Sequence, residues 1–111
     1  MRGRGSASKA AVRDISSHGI KDRVDWREHP SNPITPVKDQ GHCGSCWAHV
    51  AAEQMEAYHI LKYPDNGTVI LSTEEMTACI PNPGHCGGRG GCDGAITPLA
   101  YFWVQSYGLT R

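Results

Sequence analysis

Apolar and polar residues alternate most regularly in CWAHVAAEQMEAYHILK, residues 46–62. Ala48, Ala51 or Ala52, Met55, Tyr58 or His59, and Leu61 recur at three- to four-residue spacing, which predicts a long amphipathic helix beginning near Cys46. Pro64-Asp65-Asn66-Gly67 carries the turn chemistry that ends it. After the short apolar stretch TVIL, Ser72 and Glu75 form the S-x-x-E capping pattern of a short second helix reaching Cys79. Thr97 and Pro98 read as N-cap and first residue of a third helix, PLAYFWVQSY, with Gly108 as its stop. Between the second and third helices, residues 80–95 hold six glycines and two prolines. That composition makes a loop, and it needs Cys86 and Cys92 to hold it. Residues 24–40, VDWREHPSNPITPVKDQ, are broken by three prolines into extended and turn structure. Residues 1–23 are Gly, Ser, Ala and charge, the pattern of a flexible leader. The fold class is therefore mainly α with irregular loops, without internal repeats.

Composition narrows the partners. The chain has 111 residues, with 11 Lys plus Arg and 11 Asp plus Glu, so its net charge is zero with His neutral. This supplies no electrostatic ground for nucleic acid or an anionic membrane, and no apolar run reaches the length of a membrane helix. Five cysteines in so short a chain suggest disulfides and an oxidising compartment. Residues 1–20, however, lack the apolar core of a secretory signal. The two observations are reconciled if the sequence is a piece of a longer protein.

The cysteines carry the candidate chemistry. In DQGHCGSCWAHV, residues 39–50, Cys43 and Cys46 form a CxxC. A redox couple of the thioredoxin kind needs a strand leading into the motif and a sheet after it; the lead-in here is broken by proline and no strand-rich segment follows. A zinc site built from Cys43, Cys46, Cys86, Cys92 and His85 lacks a second CxxC at ligand spacing. A nucleophile accounts for more residues. Cys46 opens the long helix, where the positive end of the helix dipole favours thiolate. Gln40 can place its side-chain amide beside the sulfur and, with the Cys46 backbone N–H, form an oxyanion hole. Gly44 lets the backbone come close to a substrate.

CGSCW fits the C-G-[SA]-C-[WY] pattern of the papain/cathepsin cysteine peptidases, and the flanks agree. VDWRE resembles the start of the mature enzymes, TPVKDQGHCGSCWA their catalytic turn, LSTEEMTAC their second helix and GCDGA their substrate-contact loop. The resemblance covers residues 24–111. It implies the first, helical lobe of a two-domain α+β fold, with the β-rich second lobe absent from this sequence.

Residue by residue, the resemblance makes Cys46 the nucleophile of an endopeptidase acting through an acyl-enzyme, and Gln40 its oxyanion-hole glutamine. Cys43 and Cys92 match the ends of a family disulfide that clamps the loop to the catalytic helix. Cys79 matches a cysteine paired farther along; Cys86 has no counterpart, and the pairing of both stays open. Asp93, Gly94 and Ala95 match a stretch whose backbone pairs with an extended peptide, and Ala95, standing where glycine is usual, requires a negative φ there. Ile96 and Thr97 line one wall of the specificity pocket, and Gly44 borders the cleft; Trp47 and Trp26 read as core and interface aromatics, with Trp47 also shielding the cleft.

The implied partners are a peptide or protein substrate and the second lobe, for which a large apolar face is expected to stand open. No metal or cofactor is implied, and the compartment is lysosome-like or extracellular. The catalytic His and Asn fall about 130–150 residues after the nucleophile, a distance this sequence does not reach, so the 111-residue chain alone is expected to be inactive. A catalytically inactive truncated copy, at most a peptide-binding module, is the other reading. His49, at i+3 from Cys46, reads as a packed or hydrogen-bonded histidine, His42 as a surface residue of the turn, and His18, His29, His59 and His85 carry no assigned role. Asn66-Gly67-Thr68 is an N-glycosylation sequon, meaningful only in a secreted chain and equally an ordinary turn.

Overall fold

The structure is a computed structural model and describes Gly19 and residues 21–111. The flexible leader expected over residues 1–23, and His18 with it, lies largely outside the described residues. Three helices carry the fold: α1 is Cys46–Lys62, α2 is Thr73–Cys79 and α3 is Thr97–Tyr107. Single turns of 3-10 helix stand at Trp26–Glu28, Pro64–Asn66 and Gly91–Asp93. The rest is loop, with no strand among the described residues.

α1 begins and ends where the pattern predicts, but its buried face is turned from the predicted one. Trp47, Ala48, Ala51, Ala52, Glu56 and Ile60 are buried; Met55 is partly buried and Tyr58 is 65% exposed. Three alanines with no exposed surface let α2 and α3 lie close against α1, where Met76 of α2 and Ala100 of α3 complete the core with Ile80. Burying a side chain of the size of Met76 contributes about 1.5–3 kcal/mol.

The helix ends follow local chemistry. Ser72 Oγ accepts the Glu75 N–H at 3.1 Å, as the capping pattern predicts. Only half of the box forms, because the Glu75 carboxylate accepts instead from the N–H and hydroxyl of Thr110. The Ser72 N–H in turn donates to the Thr110 carbonyl, so the end of the chain is tied to the start of α2. α3 starts one residue earlier than predicted: Ile96 is the N-cap and Thr97 is already helical, without a side-chain cap. Proline has no N–H to satisfy and fits anywhere in the first turn, so it does not fix which residue comes first. Gly108 ends α3 at φ 78°, donating to Val104.

One buried ion pair ties the proline-rich segment to α1. Glu56 is fully buried on the inner face. Its carboxylate accepts from Lys38 Nζ at 2.7 Å, Thr35 Oγ1 at 2.6 Å and the Leu71 N–H at 2.8 Å. Burial by itself pushes this carboxyl up, but the Leu71 N–H, Lys38 and Thr35 together outweigh it and hold it below its ordinary value.

Candidate active site

Cys46 is the first residue of α1, and its thiol is exposed and free of any disulfide. Ser45, the N-cap, is buried and makes no side-chain cap. No side chain therefore caps the N–H groups of Cys46 and Trp47, while the Ala48 N–H donates to the Ser45 carbonyl at 3.0 Å. Among the described residues no histidine ring is hydrogen-bonded to Cys46. His49 is tied elsewhere: its Nδ1 lies 2.9 Å from the Ser45 carbonyl, one turn back along α1. His42 is exposed in the turn that precedes the helix.

That turn is built by Asp39, whose carboxylate accepts the Gly41 N–H at 2.8 Å while Gly41 takes φ 58°. Gln40 projects from the same turn and is exposed. One of its amide N–H groups donates to the Cys43 carbonyl at 2.7 Å, which anchors the side chain and leaves the second N–H available.

The loop from Gly87 to Ala95 is pinned against the start of α1 at three points. The disulfide Cys43–Cys92 is formed. The Gly44 N–H donates to the Cys92 carbonyl at 2.9 Å. The Trp47 indole N–H donates to the Gly91 carbonyl at 3.1 Å. Trp47 is only 3% exposed, which fits its reading as a core aromatic and leaves little surface for the cleft-shielding role also read for it. Its ring is large and apolar, its one donor is used by the loop, and it supports that loop from beneath. Within the loop, Gly90 and Arg89 N–H groups donate to Gly94 and Asp93 carbonyls. Buried Asn82, whose role the sequence did not disclose, braces the preceding segment through three bonds to Cys86 and Gly88.

This bracing leaves a length of backbone open. Gly94 takes φ 91° and Ala95 keeps a negative φ, as an L residue there requires. The Ala95 N–H and C=O make no hydrogen bond among the described residues, while Ala95 itself is partly buried against the core and its carbonyl lies against Gly87. Ile96 is partly exposed beside them, and Thr97 begins α3. Asp93 is exposed at the rim. Cys79 and Cys86 are both free and exposed, so the loop stands on one disulfide.

Gly44 is fixed by contact. A Cβ there would stand 2.4 Å from the Cys92 carbonyl oxygen, which is backbone and cannot swing aside. Gly44→Ala is expected to cost about 1–3 kcal/mol of stability by overpacking and to part the loop from the helix. Thermal unfolding of the variant beside the unsubstituted chain checks this; equal melting temperatures would show that the contact yields freely.

The comparisons with known proteins match this geometry. A family model described as papain family cysteine protease matches residues 20–111. The chain belongs to that family. A cathepsin L-like proteinase of Fasciola hepatica is 34% identical over 105 residues, covering 86% of this chain and 30% of the relative. Cysteine protease 1 of Oryza sativa subsp. japonica is 36% identical over 106 residues, covering 96% of this chain and 20% of the relative. Among solved structures, the proform of the ragweed pollen cysteine protease Amb a 11 superposes with a TM-score of 0.66 at 32% identity, over 86% of this chain and 27% of that one. The chain thus spans about 30% or less of the relatives it matches. The three-helix arrangement is the helical lobe of the papain fold.

Proposed function

We propose that residues 24–111 form the nucleophile-bearing lobe of a papain-family endopeptidase whose base is supplied by a second lobe. The observation that carries the reading is the placement of Cys46: a free, exposed thiol at the first turn of a 17-residue helix, with the Gly87–Ala95 loop fastened beside it by the Cys43–Cys92 disulfide. The Cys46 sulfur attacks the carbonyl carbon of a peptide bond. The negative charge that develops on the carbonyl oxygen is met by the Cys46 N–H and the free N–H of Gln40. The C–N bond breaks, the amine leaves with a proton delivered by the base, and water then hydrolyses the thioester. Gly94 and Ala95 hold the substrate backbone. Ile96 and Thr97 form one wall of the pocket for its side chain, Gly44 gives the backbone room, and Asp93 stands at the rim.

A matching apolar face supports a docked second lobe. Trp26, Pro33, Ile34, Ala57, Tyr58 and Leu61 line a groove of about 390 Å³ between α1 and the proline-rich segment. Pro33, Ile34 and Ala57 continue it to Val37, which is 99% exposed. The Cys43–Cys92 disulfide supports an oxidising compartment, lysosome-like or extracellular. No described helix is long and apolar enough to cross a membrane.

The experiment is to read the natural transcript past the codon for Arg111 and to assay the purified 111-residue chain. The frame is expected to continue and to supply a His and an Asn about 130–150 residues after Cys46, and the short chain alone is expected not to cleave peptides. An immediate stop codon would overturn the enzyme reading in favour of an inactive, at most peptide-binding, copy. Hydrolysis by the short chain that is lost in Cys46→Ala would overturn the need for a second lobe.

A further inference from the structure

The sequon Asn66-Gly67-Thr68 has a structural setting that the catalytic reading does not use. It is the one N-x-S/T in the sequence, and proline occupies neither the middle position nor the one that follows. Lys62 to Thr68 form an unbroken exposed run, and the chain returns to the interior only at Val69. Asn66 closes the 3-10 turn Pro64–Asn66, with its backbone N–H bonded to the Tyr63 carbonyl at 3.1 Å. Its side-chain amide and the Thr68 hydroxyl have no hydrogen-bond partner among the described residues. Gly67 then takes φ 72° and ψ −173°, directing Thr68 away from the turn. Both groups that a sequon needs are thus presented together, on a tip that is exposed among the described residues.

Position and compartment point the same way. The sequon follows the C-terminus of α1 and Cys46 begins it, so about 25 Å of helix separates them. A sugar chain there leaves the nucleophile and the peptide-pairing edge untouched. It also lies beside Tyr63, an exposed aromatic whose apolar surface it would shield. The Cys43–Cys92 disulfide belongs to oxidising compartments, and in eukaryotes the route to them passes through the lumen where sequons are modified.

We propose that Asn66 is an N-glycosylation site. The Asn66 side-chain nitrogen forms a bond to the anomeric carbon of a lipid-pyrophosphate-linked oligosaccharide. The anomeric C–O bond breaks and the lipid pyrophosphate leaves with that electron pair, while the amide proton passes to a base of the transferase. The proposal stands apart from the catalytic reading and can fail or hold without it.

The test places the 111-residue chain behind a cleavable signal peptide in a eukaryotic secretory host, and collects both secreted and retained pools. Each is analysed by intact mass before and after peptide N-glycosidase, and by peptide mapping across residue 66. The expected result is a heavier species that loses mass on treatment, with Asn66 recovered as aspartate. Asn66→Gln and, separately, Thr68→Ala remove the heavier species, and Thr68→Ser keeps it. Because the transfer precedes folding, the retained pool reports even where a variant fails to fold. A signal-cleaved chain with Asn66 unmodified overturns the proposal, and so does a mass shift that survives in Asn66→Gln.

Discussion

Cys46→Ala, made in the chain joined to its second lobe, is expected to reduce peptide hydrolysis by roughly 10⁵–10⁶-fold, to background. On the proposed reading Cys46 forms the acyl intermediate, and losing a nucleophile that acts as a unit with its base removes the whole covalent route. Cys79 and Cys86 are also free thiols, but Cys79 ends α2 rather than opening a helix, and Cys86 lies in the loop. Their replacement by serine is expected to leave the rate unchanged. Gln40→Ala is expected to sit between, lowering kcat by about 10²–10³-fold with little change in KM, because an oxyanion donor acts mainly on the transition state. Burst titration with an activated ester gives the fraction of competent sites, and steady-state hydrolysis gives the rates. Activity in Cys46→Ala above a few per cent of the unsubstituted enzyme would mean that another group is the nucleophile.

Much of this site was legible because its signals are local. CGSCW fixes a cysteine at a helix start, and a helix start is itself written in the change from prolines to three- and four-residue apolar spacing. The predicted Cys43–Cys92 pairing came from the family resemblance, and the structure forms it. What was not legible depends on distant chain segments. Trp47 could be placed next to Cys46 but not under Gly91, 44 residues on. Asn82 looked like any loop asparagine, and its bonds to Cys86 and Gly88 exist only once the glycines have turned. The inner face of α1 differs from the apolar spacing because Glu56 and Ile60, rather than Tyr58 and Leu61, continue the buried stripe. Glu56 follows Ala52 and precedes Ile60 by four residues each, a spacing that puts it on their stripe. Only its partners explain why a charge can stand there.

Those partners make Glu56→Ala the largest expected loss of stability, about 3–5 kcal/mol. The substitution leaves the Lys38 ammonium, whose side chain is 15% exposed, without its counter-ion, and leaves the Leu71 N–H without an acceptor. Lys38 precedes the Gln40 turn by two residues, so the loss is expected to loosen the oxyanion side of the site as well. Glu56→Gln keeps the volume and one acceptor and should cost less, while Glu56→Gln with Lys38→Met should recover part of the loss by removing both charges. The pH dependence has a definite sign. The folded carboxyl lies below its ordinary value of 4.5, so the unfolded chain binds the proton more readily. The pair's contribution is complete above about 4.5 and is lost as the pH falls through the lower folded value. It therefore persists in a mildly acidic vesicle and fails only in stronger acid. Thermal unfolding between neutral pH and strong acid checks both statements. The unsubstituted chain should lose stability below that point faster than Glu56→Gln, and parallel curves for the two proteins would remove Glu56 from the account.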